Sequence, residues 1–374
     1  MERYQVAVLG APDSGKTVYL ATLNHLLGEA RLAPGLAVTV RPAEVASRFE
    51  AIFQQIANPA DDGFPAPTSM DNITEWHFEC SVFARGKSFP LMTLAYFDAA
   101  GEWVRSPIFK SPQSKKFFRL REGTHAVLAF IDGEQVARFV CGKVDERTFM
   151  RENVPNSLRR AINECSGPVH IVVSKWDLLT DELTLAEVKG ALLGTQDSWL
   201  RDIISDRNAG GGRGPLAPGR VRLIPVTSLG EFVYVGPDGF IHKKPDMEPM
   251  PKNVLVPLAA VLPDLCIRAV EAAARASAAD FRPWWRTGSQ EDQSLGMSVV
   301  AIAITIAEGL TIASGKLMRL ILKGRMPMSV LFAHFRKPRL GAVKTQSAAF
   351  RYMMKSLVRY LRQFEIDHPD SRLT

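Results

Sequence analysis

The chain has 374 residues, 46% of them apolar, and a formal net charge of +7, which excludes global disorder and allows one large domain with an appendage, or two domains. The charge is uneven: residues 316–374 hold 13 Lys and Arg against 3 Asp and Glu, net +10, leaving −3 for the first 315, so a near-neutral body carries a basic end suited to an acidic partner, an anionic membrane face or nucleic acid. Four cysteines (Cys80, Cys141, Cys165, Cys266) lie far apart without a C-x-x-C pair, and the seven histidines show no ligand spacing, which argues against a disulfide framework or a zinc site and for a reducing, cytoplasmic setting.

Gln5–Gly10 (QVAVLG) reads as a buried strand, and no signal peptide precedes it. In LGAPDSGKTVYL, Gly10 is followed by four residues and then Gly15, Lys16 and Thr17, the spacing of a phosphate-binding loop. Tyr19, Leu20, Leu23, Leu26 and Leu27 then recur at helical spacing. Strand, glycine-rich turn and helix together are the context this loop needs. Backbone N–H groups from Asp13, Ser14, Gly15 and Val18 can point at phosphate oxygens, favoured by the helix dipole. Lys16 can neutralise β- and γ-phosphates, and the Thr17 hydroxyl can sit on Mg²⁺. The loop alone does not choose among kinase, ATPase and GTPase.

Residues 31–72 are rich in Pro, Ala and Asp and precede a hairpin over 73–97 with Gly86 in its turn. The apolar run Leu91–Phe97 ends at Asp98, an acid placed to hold Mg²⁺ through its waters. Gly101, three residues on, offers an N–H that can approach a γ-phosphate because no side chain intervenes.

Asn156–Gly167 reads as a helix, and Pro168–Val173 as a strand followed by Ser174-Lys175-Trp176-Asp177. This resembles the N/T-K-x-D loop that reads guanine, with Ser174 where Asn is usual. The Asp177 carboxylate can accept from guanine N1–H and the exocyclic amine, whereas adenine would present a lone pair at N1. Each such charge-assisted bond is worth about 1.5–3 kcal/mol. The Lys175 stem can lie over the purine face. Two helices follow in 181–207, then a glycine-rich loop and a strand over Val221–Val226. Thr227-Ser228-Leu229 resembles the S-A-x loop whose backbone touches guanine O6. A hairpin turn at 236–239 and a closing helix from Lys252 complete the expected elements.

Four loops in the order phosphate, Mg²⁺/γ-phosphate, base, base resemble the G domain of Ras-like, translation-factor-class GTPases. That implies an α/β fold, a mostly parallel sheet flanked by helices, binding GTP or GDP with Mg²⁺. GAPDSGKTVYL, PAPTS, FDAAGE, the K-x-D loop and P-x-N-V-x-x-P-L are further similar to the bacterial double-GTPase group. This resemblance implies a partner or effector protein, a second GTPase among the candidates, and a setting in bacterial conflict or defence. In the G-domain layout the first switch falls before the hairpin, and Thr68 is the expected γ-phosphate and Mg²⁺ ligand, with Thr39 and Thr74 as alternatives. Glu102 stands where many GTPases carry the Gln that orients water, so the expected catalytic set is Lys16, Gly101, Glu102 and Thr68, with slow turnover.

The expected division is a GTPase domain over 1–279 and a basic, mainly helical region over 280–374. From Gln293 to Gly315 only Glu308 is charged, which fits either a buried helix or membrane insertion. Phe350, Met353, Met354, Leu357, Val358, Leu361 and Phe364 form one helical face, with Arg351, Lys355, Arg359 and Arg362 on the other. Such a helix suits an anionic membrane surface reached through 293–364, a partner protein, or the chain's own domain. Few aromatics interleave the basic residues, which disfavours nucleic acid. Two functions stay open: a hydrolysing switch, and a nucleotide-bound adaptor with little hydrolysis. A kinase would need a lid with convergent arginines, for which there is no clear candidate.

Overall fold

The computed structural model describes residues 2–29, 32–60, 63–65, 74–98, 123–165, 167–179, 183–197, 199–209, 221–238, 240–265 and 339–373. Its chain order is β1 (Glu2–Gly10), α1 (Lys16–Glu29), β2 (Leu36–Arg41), α2 (Ala43–Ala57), β3 (Thr74–Ala84), β4 (Lys87–Asp98), β5 (Ala126–Asp132), α3 (Gly133–Val140), α4 (Glu146–Asn153), α5 (Asn156–Glu164), β6 (Val169–Ser174), α6 (Leu185–Gly194), α7 (Trp199–Ala209), β7 (Val221–Pro225), β8 (Val233–Val235) and β9 (Ile241–Lys243). A helix over 256–265 (α8) comes next, and α9 (Gln346–Asp367) and β10 (Arg372–Leu373) end the described chain.

Among the described residues, eight strands form one sheet in the order β10-β7-β6-β5-β1-β4-β3-β2. The central five, β7 to β4, are parallel to one another. The outer strands β10, β3 and β2 run antiparallel to their neighbours. The α/β fold with a mostly parallel sheet is therefore as the sequence implies.

Strand β1 lies at the centre because both its faces are apolar. Tyr4, Val6 and Val8 face one core, and Ala7 and Leu9 the other. Its alternate residues point to opposite faces, so a strand covered on both sides reads as one apolar run. The first face is covered by α1, α2, α8 and α9, through Tyr19, Leu23, Phe49, Phe53, Leu258 and Met353. The second is covered by helices α3 to α7, through Val136, Phe149, Ile162, Val188 and Leu200. After β4 on one side of β1 the chain continues to β5 on the other. In a doubly wound sheet, that reversal opens a ligand crevice at the carboxyl ends of the strands.

Two regions depart from the sequence expectation. Residues 36–57 hold β2 and α2 rather than continuous switch loop; Phe49, Phe53 and Ile56 form a buried face on α2, while the Pro- and Asp-rich stretch begins only at Asn58. Thr39 pairs with Glu79 in the middle of β2, an edge strand three places from β1, so this alternative switch ligand belongs to the sheet. Strand β5 and helices α3 and α4 carry no nucleotide motif and were not expected. Residues 293–315 and the remainder of 266–338 lie outside the described residues.

The basic end is built into the domain from residue 339 onward. Phe350, Met353, Met354, Leu357, Leu361 and Phe364 of α9 are buried in the same core as β1 and α1. Of the alternatives the sequence leaves for this apolar face, packing on the chain's own domain is the one the structure shows. The Tyr352 hydroxyl donates to the carbonyl of Pro34 at 2.6 Å, and β10 extends the sheet beyond β7. Among the described residues no helix is long and apolar enough to cross a membrane.

Candidate nucleotide-binding site

Strands β1, β4, β5, β6 and β7 end on one rim at Gly10, Asp98, Asp132, Ser174 and Pro225. The pairings Val8–Asp98, Gly10–Phe130, Asp132–Ser174 and Val173–Pro225 set these ends beside one another. The phosphate loop, the segment after Asp98 and both base loops start from this rim.

The phosphate loop is shaped by backbone demands. A β-carbon on Gly10 would lie 2.6 Å from the Phe130 carbonyl oxygen and 2.8 Å from Ser14 Oγ, so only glycine fits there. Asp13 (φ 61°) and Gly15 (φ 72°) both take the left-handed conformation, which glycine and aspartate tolerate best. Such turns direct successive N–H groups inward, as anion-binding loops do. The Lys16 ammonium is buried and donates to the carbonyls of Gly10 (3.1 Å) and Ala11 (2.8 Å) and to Ser14 Oγ (3.2 Å). It therefore sits across the loop's own mouth, where phosphate oxygens would exchange with these acceptors. Thr17 and Val18 lie in the first turn of α1, and Val18 packs against the cluster that contains Leu229.

The first base loop is joined directly to the phosphate loop. Buried Ser174 places its hydroxyl 2.9 Å from the Ser14 carbonyl oxygen and 3.1 Å from that of Ile131. Lys175 is left-handed (φ 48°), and its ammonium donates to Asp132 Oδ2 at 2.7 Å. Asp132 also caps α3, accepting from the Glu134 N–H at 2.9 Å. Held this way, the Lys175 stem passes beside Gly15, whose β-carbon would lie 4.0 Å from Lys175 Cγ. Asp177 follows in a 3₁₀ turn over Trp176–Leu178. Its residue surface is only partly covered, but Oδ1 is buried, and burial is the leading cause that raises the carboxyl pKa to about 6; its backbone hydrogen bond and the charges of Lys175 and Lys252 act in the opposite direction.

The second base loop is tied to the first. The Trp176 N–H donates to the Val226 carbonyl at 3.1 Å, and the Val226 N–H to Val173 at 2.8 Å. Thr227 and Lys252 exchange two backbone hydrogen bonds, at 3.1 and 2.8 Å. Thr227, Ser228 and Leu229 are all buried, so this segment is a fixed wall.

Of the remaining expected residues, Asp98 is the last residue of β4, level with Val8 of β1 and with Thr74 at the start of β3. Thr68, Gly101 and Glu102 lie outside the described residues. The structure adds Asp132, which holds Lys175, and Lys252, whose charge acts on Asp177. Asp132 has a signal in the sequence: like Asp98 it is an acid closing an apolar strand, AVLAFID. For Lys252 no local signal exists.

The family comparison agrees with this geometry. The model of the Double-GTPase 2 family matches residues 5–206, more than half of the chain. The chain belongs to the Double-GTPase 2 family. The matched span runs from β1 through both the phosphate loop and the Ser174–Asp177 loop and ends within α7. The second base loop and all of α9 lie beyond it, and so do β7 and β10, which belong to the same sheet as β1. No curated protein matches the chain.

Proposed function

We propose that this double-GTPase protein binds GTP and GDP at the rim described above and acts as a nucleotide-dependent switch for a partner protein. The observation that carries this reading is the hydrogen bond from Ser174 to Ser14. It joins the loop proposed to bind phosphate to the loop proposed to read guanine. Phosphates would lie in the loop from Gly10 to Thr17, with N–H groups of Asp13 to Val18 directed at them. The base would lie between the Lys175 stem, Asp177 and the wall of Thr227–Leu229.

The residues at the rim fit Mg²⁺. Thr17 lies in the first turn of α1, directly after the phosphate loop's Lys16, and Asp98 ends the neighbouring strand level with Val8. With Thr68, or Thr74 by its register beside Asp98, they would supply an oxygen donor set of the kind this ion takes. The ion would neutralise charge on the β- and γ-phosphates. Hydrolysis would form a bond from a water oxygen to the γ-phosphorus and break the γ-phosphorus bond to the bridging oxygen, leaving GDP, phosphate and a proton. Glu102 is the residue proposed to take that proton. A carboxylate near developing negative charge makes for slow turnover, below about 1 s⁻¹ without a partner.

The adaptor reading keeps the same nucleotide with little hydrolysis, and Glu102 together with Pro12 in the phosphate loop favours it. Single-turnover measurement of phosphate release separates the two. The partner is proposed to be an effector protein or a second GTPase in a bacterial conflict or defence setting. Contact with anionic lipid would fall to exposed Arg359 and Arg362 and to residues 293–338, giving a cytoplasmic protein with peripheral attachment; vesicle flotation of the full chain tests it. The deciding experiment for the site is the affinity for GTP, GDP and ATP, measured beside Asp177→Ala. Guanine nucleotides should bind well above ATP, and the substitution should abolish that preference. Tight ATP binding untouched by the substitution would overturn the guanine assignment.

A further inference from the structure

Lys243 ends β9, in the hairpin that follows the second base loop. It is only 6% exposed, and a buried ammonium persists only where its donors are satisfied. Its Nζ donates to the carbonyls of Gln55 (3.1 Å), Asn58 (3.2 Å) and Gly63 (3.2 Å), and it lies 5.3 Å from the centre of the Phe64 ring. Gln55 sits in the last turn of α2 and Asn58 is its cap residue. Carbonyls there have no partner within the helix and carry the negative end of its dipole, so a cation is the natural complement.

The same hairpin is rooted in the base site. Leu229, Phe232 and Val233 share a cluster with Ile56 of α2, and Val18 of α1 and Phe64 pack against it. The Lys244 N–H donates to Phe232 and the Met250 N–H to Leu229, both at 2.8 Å. One side of this hairpin is thus the wall expected to touch guanine. The other side holds the end of α2 and the chain at Gly63.

We propose that Lys243 is a positioning residue of the nucleotide site: it ties the Thr227–Leu229 wall to the end of α2 and to Gly63, so that guanine occupancy and the conformation of the end of α2 are set together. The proposal rests on the guanine reading given above. It places a link between base recognition and the end of α2 outside the span of the phosphate and Ser174–Asp177 loops.

Hydrogen exchange of the full chain, with and without GDP, tests it. In the wild type, saturating GDP should slow exchange across residues 52–65 by about threefold or more. Lys243→Met should bind GDP more weakly and, at a concentration that still saturates it, should lose that slowing, and Lys243→Arg should retain part of it. Wild-type slowing in Lys243→Met would overturn the proposal. Should Lys243→Met fail to fold by circular dichroism, Lys243→Arg alone decides, since undiminished slowing there with its altered donor geometry contradicts the link. If the wild type binds no GDP, the guanine reading fails by itself. The anchor is then judged without nucleotide: Lys243→Met should exchange faster over 52–65 with β1 and β5 unchanged, and equal rates would overturn it.

Discussion

The Ser174 hydroxyl lies 2.9 Å from the carbonyl oxygen of Ser14, a contact that spans 160 positions of chain. The same hydroxyl lies 3.1 Å from the Ile131 carbonyl. A serine has one proton to donate, so the two acceptors share it, and the ends of β5 and β6 meet the loop after β1 at one side chain. A short hydroxyl here thus closes a contact between the phosphate loop and the base loop.

Ser174→Ala removes this junction and leaves two buried carbonyls short of a donor. The expected loss is about 1 kcal/mol, roughly fivefold in affinity for GDP. A fall in melting temperature should accompany it. Titration calorimetry with GDP checks the first and a thermal melt the second; unchanged affinity would show that the loops hold their spacing without the bond.

Gly10→Ala tests the phosphate loop more severely. The new carbon would meet the Phe130 carbonyl at 2.6 Å and Phe130 Cβ at 2.9 Å. Neither can move without displacing β5, and Ser14 Oγ closes the third side at 2.8 Å. The loop must therefore shift away from the strand. GTP and GDP affinity should fall by more than about tenfold, with about 1–3 kcal/mol lost from stability through overpacking. Parallel nucleotide titration and urea denaturation measure the two effects.

These two sites show which features the sequence exposes. Gly10, Gly15, Lys16 and Thr17 are legible because the chemistry demands fixed residue types at fixed short spacing. Strands β1 and β6 are legible because burial on both faces leaves an unbroken apolar run. The helical face of α9 is legible too, but what covers it is a long-range fact: Met353 packs against the sheet rather than lipid. Helix α2 is obscured because the Pro- and Asp-rich residues that follow it dominate the local composition. Strand β10 is two residues long and exists only through its pairing with β7. Ser174 stands out only as a departure from Asn, because its partner lies 160 positions away.

The C-terminal segment is predicted to be essential for stability. Arg222 of β7 is buried and pairs with Asp264 of α8 and, at 3.1 Å, with Glu365 of α9. Arg372 of β10 also pairs with Glu365. Burial works to raise the Glu365 pKa, but Arg372 and Arg222 outweigh it and hold the group below its ordinary value. A depressed carboxyl pKa contributes stability that is present above the unfolded value and lost as pH falls through the folded one. Arg222→Met takes the guanidinium from buried Asp264 and leaves Glu365 with Arg372 alone, and should cost about 3–5 kcal/mol. Chemical denaturation at neutral pH measures it, and a variant as stable as the wild type would refute the role of this cluster.

Asp177 supplies the pH dependence. Its carboxyl is raised from 3.8 to about 6, chiefly by burial. The folded protein therefore holds this proton more tightly than the unfolded chain does. The resulting stability is fully present below about pH 3.8 and is lost as pH rises through about 6. At pH 7.5 the ionised group is a burden on the nucleotide-free fold. Asp177→Asn, which cannot ionise, should thus stabilise the free protein by about 1–3 kcal/mol. In the proposed site guanine would reverse the preference, because its N1–H and amine would donate to the carboxylate and require it ionised. Wild-type affinity for GDP should accordingly weaken about tenfold from pH 7.5 to pH 5. The nucleotide's phosphates titrate over the same interval in both proteins, so the ratio of wild-type to Asp177→Asn affinity isolates Asp177. Calorimetric titrations across that interval, paired with thermal melts of the free proteins, should show the ratio falling as pH drops and the free variant melting higher at pH 7.5. A ratio that stays flat across the interval would mean that Asp177 does not carry the contact to the base.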